Sequence, residues 1–160
     1  MRLYEPLKRE HALAFGRVIG AWAYLESVLD EGVEALFPEL PMDWIGYLAA
    51  QFDYPRKREV IRNLLPIHVP DKSVVDEHLR EIERLNKIRV LVAHSIWVEG
   101  KAAGAIKPAG VKGRKLEFRG YEDNEKEYTA KELTEEAQKM MNAADALANL
   151  MRDSGLDVGW

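Results

Sequence analysis

The fold of this chain is decided by residues 85–97, which read LNKIRVLVAHSIW. The segment continues a series of apolar side chains spaced by three and four positions, namely Val75, Leu79, Ile82, Leu85, Ile88 and Val92. This period predicts one long helix with a buried stripe. Arg89 interrupts the stripe, because at about 100° per residue it projects close to the directions of Ile82 and Val75. A guanidinium buried there needs a partner, since burial without one costs several kcal/mol.

Asn86 and His94 extend this interruption into a polar notch. Asn86 lies one turn before Arg89, and His94 follows at the end of the periodic segment. Two interpretations are open at this point. The three residues are a salt-bridged arginine, a surface amide and a helix-capping histidine, or they face a cleft in which a ligand binds.

The first helix is predicted over about residues 7–36, from a second apolar series with the same spacing, which contains Phe15, Val18, Trp22, Leu25, Leu29, Val33 and Leu36. Glu26 lies on the edge of that stripe and is the predicted partner of Arg89. A solvated edge residue is the alternative for Glu26. His11 is predicted to be a satisfied histidine on the helix face.

The middle of the chain is predicted to hold two further helices. Prolines at 38 and 41 end the first helix, because proline removes a donor and restricts the preceding residue. A short helix is predicted over residues 43–51. Another begins near Pro55, with Asp53 or Tyr54 as its cap. The basic cluster at residues 56–58 could contact phosphate, although simple solvation is the alternative.

After Trp97 the sequence predicts a β-hairpin insertion over about residues 101–128. Glycines and prolines exclude an amphipathic helix there, strands are predicted at Ile106 and at residues 116–118, and the turn at residues 110–113. The insertion is locally basic, and Lys112, Arg114 and Lys115 are candidate RNA contacts. A solubilising loop is the alternative.

A last helix is predicted to begin at Thr129. Thr129 and Glu132 form a capping-box pattern, and Gly155 follows the last apolar position. The apolar stripe between them is rich in small residues, which permits close helix packing. We therefore expect it to lie in the core or in a dimer interface.

Composition predicts a single domain over residues 1–160 in the cytoplasm. The length fits one core, and no apolar segment is expected to reach membrane-spanning length. Cysteine is absent and the four histidines lack a zinc-site spacing, so no metal or cofactor is predicted. A net charge of -4 argues against a strongly cationic nucleic-acid binder.

Arg89, four intervening residues and His94 near the end of a long helix, followed by Trp97, resemble the Arg-x(4–6)-His signature of the HEPN superfamily. The layout, with an inward acid on a long first helix, is similar as well. The resemblance implies an all-α, up-and-down bundle of four to five helices with a small β-hairpin insertion before the last helix. It also implies a homodimer with a composite Arg89 and His94 site. Glu26, the predicted partner of Arg89, and Asn86, a nearby polar residue outside the motif position, are predicted to support that site.

The function that this resemblance implies is a metal-independent endoribonuclease of the toxin or defence type, with RNA or a nucleotide as ligand and, for a toxin, a cognate antitoxin as partner. Arg89 and His94 lie about 140° apart around a straight helix. The helix must therefore loosen at residues 93–94, or a two-fold dimer must bring two pairs together.

Other functions stay open. Active members of the superfamily commonly place a polar residue directly after the arginine, where this chain has Val90. The alternative is a non-catalytic dimeric module that binds a nucleotide or a partner protein. A purely structural alternative treats Arg89 and Glu26 as an ion pair that fixes the register of two helices.

Overall fold

A computed structural model describes residues 7–109 and 126–159 of the chain. Its elements, in order, are α1 (Arg9–Ala35), α2 (Met42–Gln51), α3 (Tyr54–Leu64), a short 3₁₀ turn (Leu65–Ile67), α4 (Lys72–His94), β1 (Ile96–Glu99), β2 (Ala105–Ala109), β3 (Tyr128–Thr129) and α5 (Ala130–Asp153). Of the described residues, 72% are helical, and a small antiparallel sheet lies before the last helix. A mostly helical protein with a small β insertion is therefore confirmed.

The helix ends follow the capping residues that the sequence indicates. The Asp53 side chain accepts a hydrogen bond from the Arg56 amide at 3.1 Å and so caps α3. At the start of α5, the Thr129 amide donates to Glu132 Oε2 at 2.7 Å, and the Glu132 amide donates back to Thr129 Oγ1 at 3.2 Å. This reciprocal pair is the predicted capping box. Gly155, with φ of 80°, follows the helix in the left-handed conformation that ends it.

The sheet has the order β1-β2-β3, with both neighbouring pairs antiparallel. Trp97 faces Pro108 across the first pair, and Ile106 faces Tyr128 across the second. The predicted strand at Ile106 is confirmed, whereas β1 and the turn over residues 100–104 were not predicted. Gly104 occupies that turn with φ of 74°. The strand predicted at 116–118 and the turn at 110–113 lie outside the described residues.

The chain divides into two compact units, each made from separate segments. Met1–Ala21 and Leu85–Lys139 form the sheet unit, and Trp22–Arg84 and Met140–Trp160 form the helical unit. In the sheet unit the buried Trp97 ring contacts the rings of Phe15 and Tyr128, with centroids 5.0 and 5.9 Å apart. In the helical unit the buried rings of Trp22 and Tyr54 meet edge to face at 5.2 Å. The single domain expected over residues 1–160 stays a prediction.

Helix α1 is apolar enough over an 18-residue window to satisfy a membrane-span criterion based on length and composition. The expectation that no segment reaches that length is therefore wrong. In the structure 39% of the window is buried, and the core helix of a soluble protein satisfies the same criterion.

Candidate functional site

Helix α4 carries the predicted motif and remains helical through His94. The Ser95 amide donates to the Leu91 carbonyl at 3.1 Å, which continues the hydrogen-bond pattern beyond the histidine. Of the two alternatives, loosening of the helix at residues 93–94 is therefore not what this structure has. Arg89 and His94 keep the separation of about 140° that an ideal helix gives to residues five apart. One copy of α4 does not aim both side chains at one ligand.

His94 is exposed at the end of α4, with exposed apolar side chains nearby in sequence. Val90 lies one helical turn before it and is 41% exposed, and Ile96, the first residue of β1, is 49% exposed. An accessible imidazole can contact a ligand and act as a general acid or base. The exposed side chains of Val90 and Ile96 form apolar surface near His94 in sequence, which the described residues do not bury.

Arg89 lies on the more buried side of the same helix. The predicted apolar stripe is confirmed, because Val75, Leu79, Ile82, Leu85 and Val92 are all buried, and Ile88 is half-buried. Arg89 is half-buried and does not lack an interaction partner, as a charge in such a position requires. Asn86, three residues earlier, is also half-buried, and its supporting role stays a prediction.

Glu26 lies in an ionic cluster of the helical unit. Lys57 Nζ is 3.7 Å from Glu26 Oε1 and 2.6 Å from Asp30 Oδ1. The shorter contact is an ion pair rather than a well-aligned hydrogen bond. Glu26 and Asp30 are one turn apart on α1, so both carboxylates reach the same ammonium group. Glu26 belongs to the helical unit and Arg89 to the sheet unit. The predicted ion pair between these two residues stays a prediction.

Lys57 is the residue whose role the sequence interpretation missed. It was expected at a solvated or phosphate-contacting helix start, but only 4% of it is exposed. Its position gave a usable signal, because Tyr54, Lys57 and Ile61 recur at steps of three and four and form the buried face of α3. A lysine in an apolar stripe indicates buried carboxylate partners on another element.

His11 is the structural histidine that the sequence predicts. It is buried, and its Nε2 lies 3.0 Å from the Gly104 carbonyl, to which it donates. The bond joins α1 to the turn between β1 and β2, within the sheet unit. Nδ1 is buried without a hydrogen-bond partner among the described residues.

A second buried polar contact lies beside Lys57 on α3. The Tyr54 hydroxyl donates to Glu83 Oε2 at 3.1 Å. Burial, and then the neighbouring Glu83 carboxylate, raise the pKa of Tyr54 far above its ordinary value. Tyr54 therefore acts as a neutral donor at physiological pH.

The candidate RNA contacts Lys112, Arg114 and Lys115 lie outside the described residues. Within residues 7–109 and 126–159, no three His, Asp or Glu side chains are grouped so that they could hold a metal ion. No protein-family model, curated protein or solved structure matches the chain. The resemblance to the HEPN superfamily thus rests on the Arg89 and His94 motif and on the helical layout.

Proposed function

We propose that the protein acts as a two-fold pair of copies that cleaves RNA without a metal ion, with Arg89 and His94 of both copies in one shared cleft. The observation that carries this proposal is the exposed His94 beside exposed apolar side chains at Val90 and Ile96. Exposed apolar surface around a polar group is typical of an interaction site. A two-fold axis near His94 would bury that surface and bring two histidines together.

The straight course of α4 also favours a shared cleft over a site within one copy. Arg89 and His94 point in directions about 140° apart, so one copy offers a ligand one of them at a time. In a symmetric pair, the arginine of one copy can face the histidine of the other. The site would then be complete only in the dimer.

The chemistry assigned to this cleft is transesterification of RNA. His94 accepts the proton of a ribose 2′-hydroxyl, the 2′-oxygen attacks the adjacent phosphorus, and the bond to the 5′-oxygen breaks. The partner subunit's His94 gives a proton to that 5′-oxygen. Arg89 binds the phosphate through its planar fork and stabilises the charge of the transition state. The products are a cyclic phosphate and a 5′-hydroxyl end.

The test is RNA cleavage in EDTA by the wild type and by Arg89→Ala and His94→Ala. We expect the wild type to cleave and both variants to lose about a hundredfold or more in rate. For His94 this is the ordinary contribution of a general acid–base group, and for Arg89 that of a donor that stabilises transition-state charge. His68→Ala, which alters an exposed histidine outside α4, is the matched control and should cleave like the wild type. Circular dichroism of each variant would show that the fold is kept.

The dimer requirement needs a separate measurement. Val90→Asp places a carboxylate in the apolar surface beside His94, so light scattering should find a monomer and cleavage should be lost together with the dimer. A monomeric variant that cleaves RNA at the wild-type rate would contradict the shared cleft.

A second function, a non-catalytic dimeric module that binds a nucleotide or a partner protein, is favoured by one observation. Val90 is exposed at the position after Arg89, where a polar side chain would be available to a phosphate. Calorimetric titration with mononucleotides and oligonucleotides separates the two functions. Binding that depends on Arg89 without any cleavage would support the non-catalytic module.

A further inference from the structure

A cavity of about 360 Å³ lies in the helical unit, lined by residues of α3 and of the first turns of α4. Its lining is unusually rich in arginine for so small a space and consists of Arg58, Arg62, Ser73, Asp76, Leu79 and Arg80. Three of these side chains are positive and one is negative, which leaves an excess of two positive charges. The volume is at the lower end of the range for small-molecule sites.

The helical period explains why the arginines converge. Arg58 and Arg62 are one turn apart on α3, and Asp76 and Arg80 are one turn apart on α4, so each helix directs a pair toward the cavity. Asp76 holds two of the guanidinium groups. Arg62 Nε donates to Asp76 Oδ1 at 3.1 Å, and Arg80 Nε donates to the Asp76 carbonyl at 3.2 Å. Both contacts use Nε, whereas a phosphate is bound most strongly through a bidentate fork that includes the terminal nitrogens.

Arg58 lines the cavity, but its Nε is not available to a ligand there. Its Nε is buried and has no hydrogen-bond partner among the described residues. Its Nη1 lies 3.7 Å from Glu83 Oε2, an oxygen that already accepts from the Tyr54 hydroxyl. Because this Nε is buried, a ligand in the cavity can reach Arg58 only through the exposed part of its side chain, which is 32% exposed. The terminal nitrogens are therefore the Arg58 donors for a ligand.

Ser73 lines the cavity but is not its main donor. Its amide and hydroxyl both donate to Asp71 Oδ1, at 2.9 and 2.7 Å. These two bonds lower the pKa of Asp71, which keeps the carboxylate ionised at the start of α4. The hydrogen bonds to a ligand must therefore come from the arginines.

We propose that this cavity binds the dianionic phosphate group of a phosphate monoester. The three arginines outnumber the two carboxylates that contact them, Asp76 and Glu83, so the cavity favours an anion, and a monoester above its second pKa of about 6 is a dianion. The lining contains no aromatic side chain on which a base could stack, so the phosphate is the recognised group. The lining shares no residue with the Arg89 and His94 motif, and its binding does not depend on the function proposed above.

The proposal is tested by calorimetric titration at low ionic strength with inorganic phosphate, adenosine monophosphate and adenosine. We expect the monophosphate to bind and adenosine not to bind. Binding of inorganic phosphate as well would show that the dianion alone is sufficient. Arg58→Ala and Arg80→Ala should each weaken monophosphate binding by roughly tenfold or more, because each removes a charge-assisted hydrogen-bond donor.

Two further variants distinguish binding in the cavity from unfolding of the protein and from nonspecific attraction of the anion to surface charge. Arg56→Ala removes an exposed arginine from the same helix but outside the cavity, and should leave affinity within about twofold. Asp76→Asn removes the one negative charge of the lining while keeping an oxygen for Arg62, and should tighten binding severalfold. Adenosine binding as strongly as its monophosphate would overturn the proposal. Equal losses in Arg56→Ala and Arg58→Ala, or weaker binding by a folded Asp76→Asn, would also overturn it.

Discussion

Carboxylates contact a lysine side chain in one unit of this protein and backbone amides in the other. In the helical unit, Glu26 and Asp30 of α1 hold the ammonium group of Lys57 on α3. In the sheet unit, Glu127 accepts hydrogen bonds from the amides of Lys101 and Ala102, at 2.6 and 2.9 Å. The first arrangement fastens one helix to another through side chains. The second stabilises a turn whose backbone amides lack partners in a helix or strand and therefore need a side-chain acceptor.

These two kinds of contact should differ in how much their loss destabilises the protein. A buried ammonium group that loses its partners, or carboxylates that lose theirs, impose a large desolvation cost. A carboxylate that caps exposed amides can be replaced by water at a small cost. Gly100 belongs to the second arrangement, because a Cβ at that position would lie only 2.8 Å from the Glu127 carboxylate. The following predictions test this contrast, from the largest expected effect to the smallest.

Lys57→Ala should lower the free energy of unfolding by about 3 kcal/mol, near the lower end for breaking a buried ion pair, because Glu26 and Asp30 are each about one-third exposed. Urea denaturation followed by circular dichroism measures the change. Lys131→Ala is the matched control, since its contact with Glu135 lies on the surface at 3.9 Å. That control should cost no more than about 0.5 kcal/mol. Equal losses of unfolding free energy in the two variants would contradict the prediction that the buried lysine contributes more to stability than the exposed one.

Thr129→Ala should lower the free energy of unfolding by about 1 kcal/mol, the ordinary cost of losing a helix cap. Both the Glu132 amide and the Glu132 carboxylate lose their contacts with the Thr129 hydroxyl. Thr129→Ser keeps the hydroxyl and should keep most of the stability. If the serine variant is as unstable as the alanine variant, the hydroxyl is not what stabilises the start of α5.

Glu127→Ala should have the smallest effect on global stability and a local effect on the turn. Hydrogen exchange at the amides of Lys101 and Ala102 should become faster, because both donate to the Glu127 carboxylate. Glu135→Ala, on the exposed face of α5, is the control and should leave those two amides unchanged.

The effect of Glu127 should also depend on pH. The two amide bonds lower the pKa of this carboxyl, so its contribution is complete above the ordinary glutamate pKa of about 4.3 and disappears as the pH falls through the lower folded-state value. The difference in exchange between wild type and Glu127→Ala should therefore shrink in acid. A difference that grows in acid would show that the charged carboxylate is not the group that holds the turn.

Much of the helical architecture follows from local sequence signals. The apolar series predicts residues 7–36 as a helix, and α1 spans Arg9–Ala35. Asp53 and Thr129 mark helix starts because their side chains satisfy amides three residues later, which is a property of short sequence alone. Gly155 marks the end of α5 for an equally local reason, since its positive φ suits glycine.

The sheet and the charged sites depend on contacts between distant residues. β1 was not predicted, because a four-residue strand is recognised mainly through its partner, and that partner includes Pro108, which has no amide to donate. Lys57 was misassigned because its type suggests solvent although its position is buried. The arginines of the cavity come from α3 and α4, and only the packing of those helices brings them together. For Arg89 and His94, the sequence predicts the positions on the helix, and a site shared between two copies stays a prediction.

Helix α1 makes polar contacts with residues that are synthesised much later. Arg17 donates to Thr134 across 117 positions, and Tyr24 donates to Asp145 across 121. At translation rates of about 5–20 residues per second, α1 leaves the ribosome roughly ten seconds before α5 is available. During that interval α1, which alone among the described helices is long and apolar enough to satisfy the membrane-span criterion, lacks its C-terminal partner. We therefore expect α1 to complete its packing only after α5 has been synthesised.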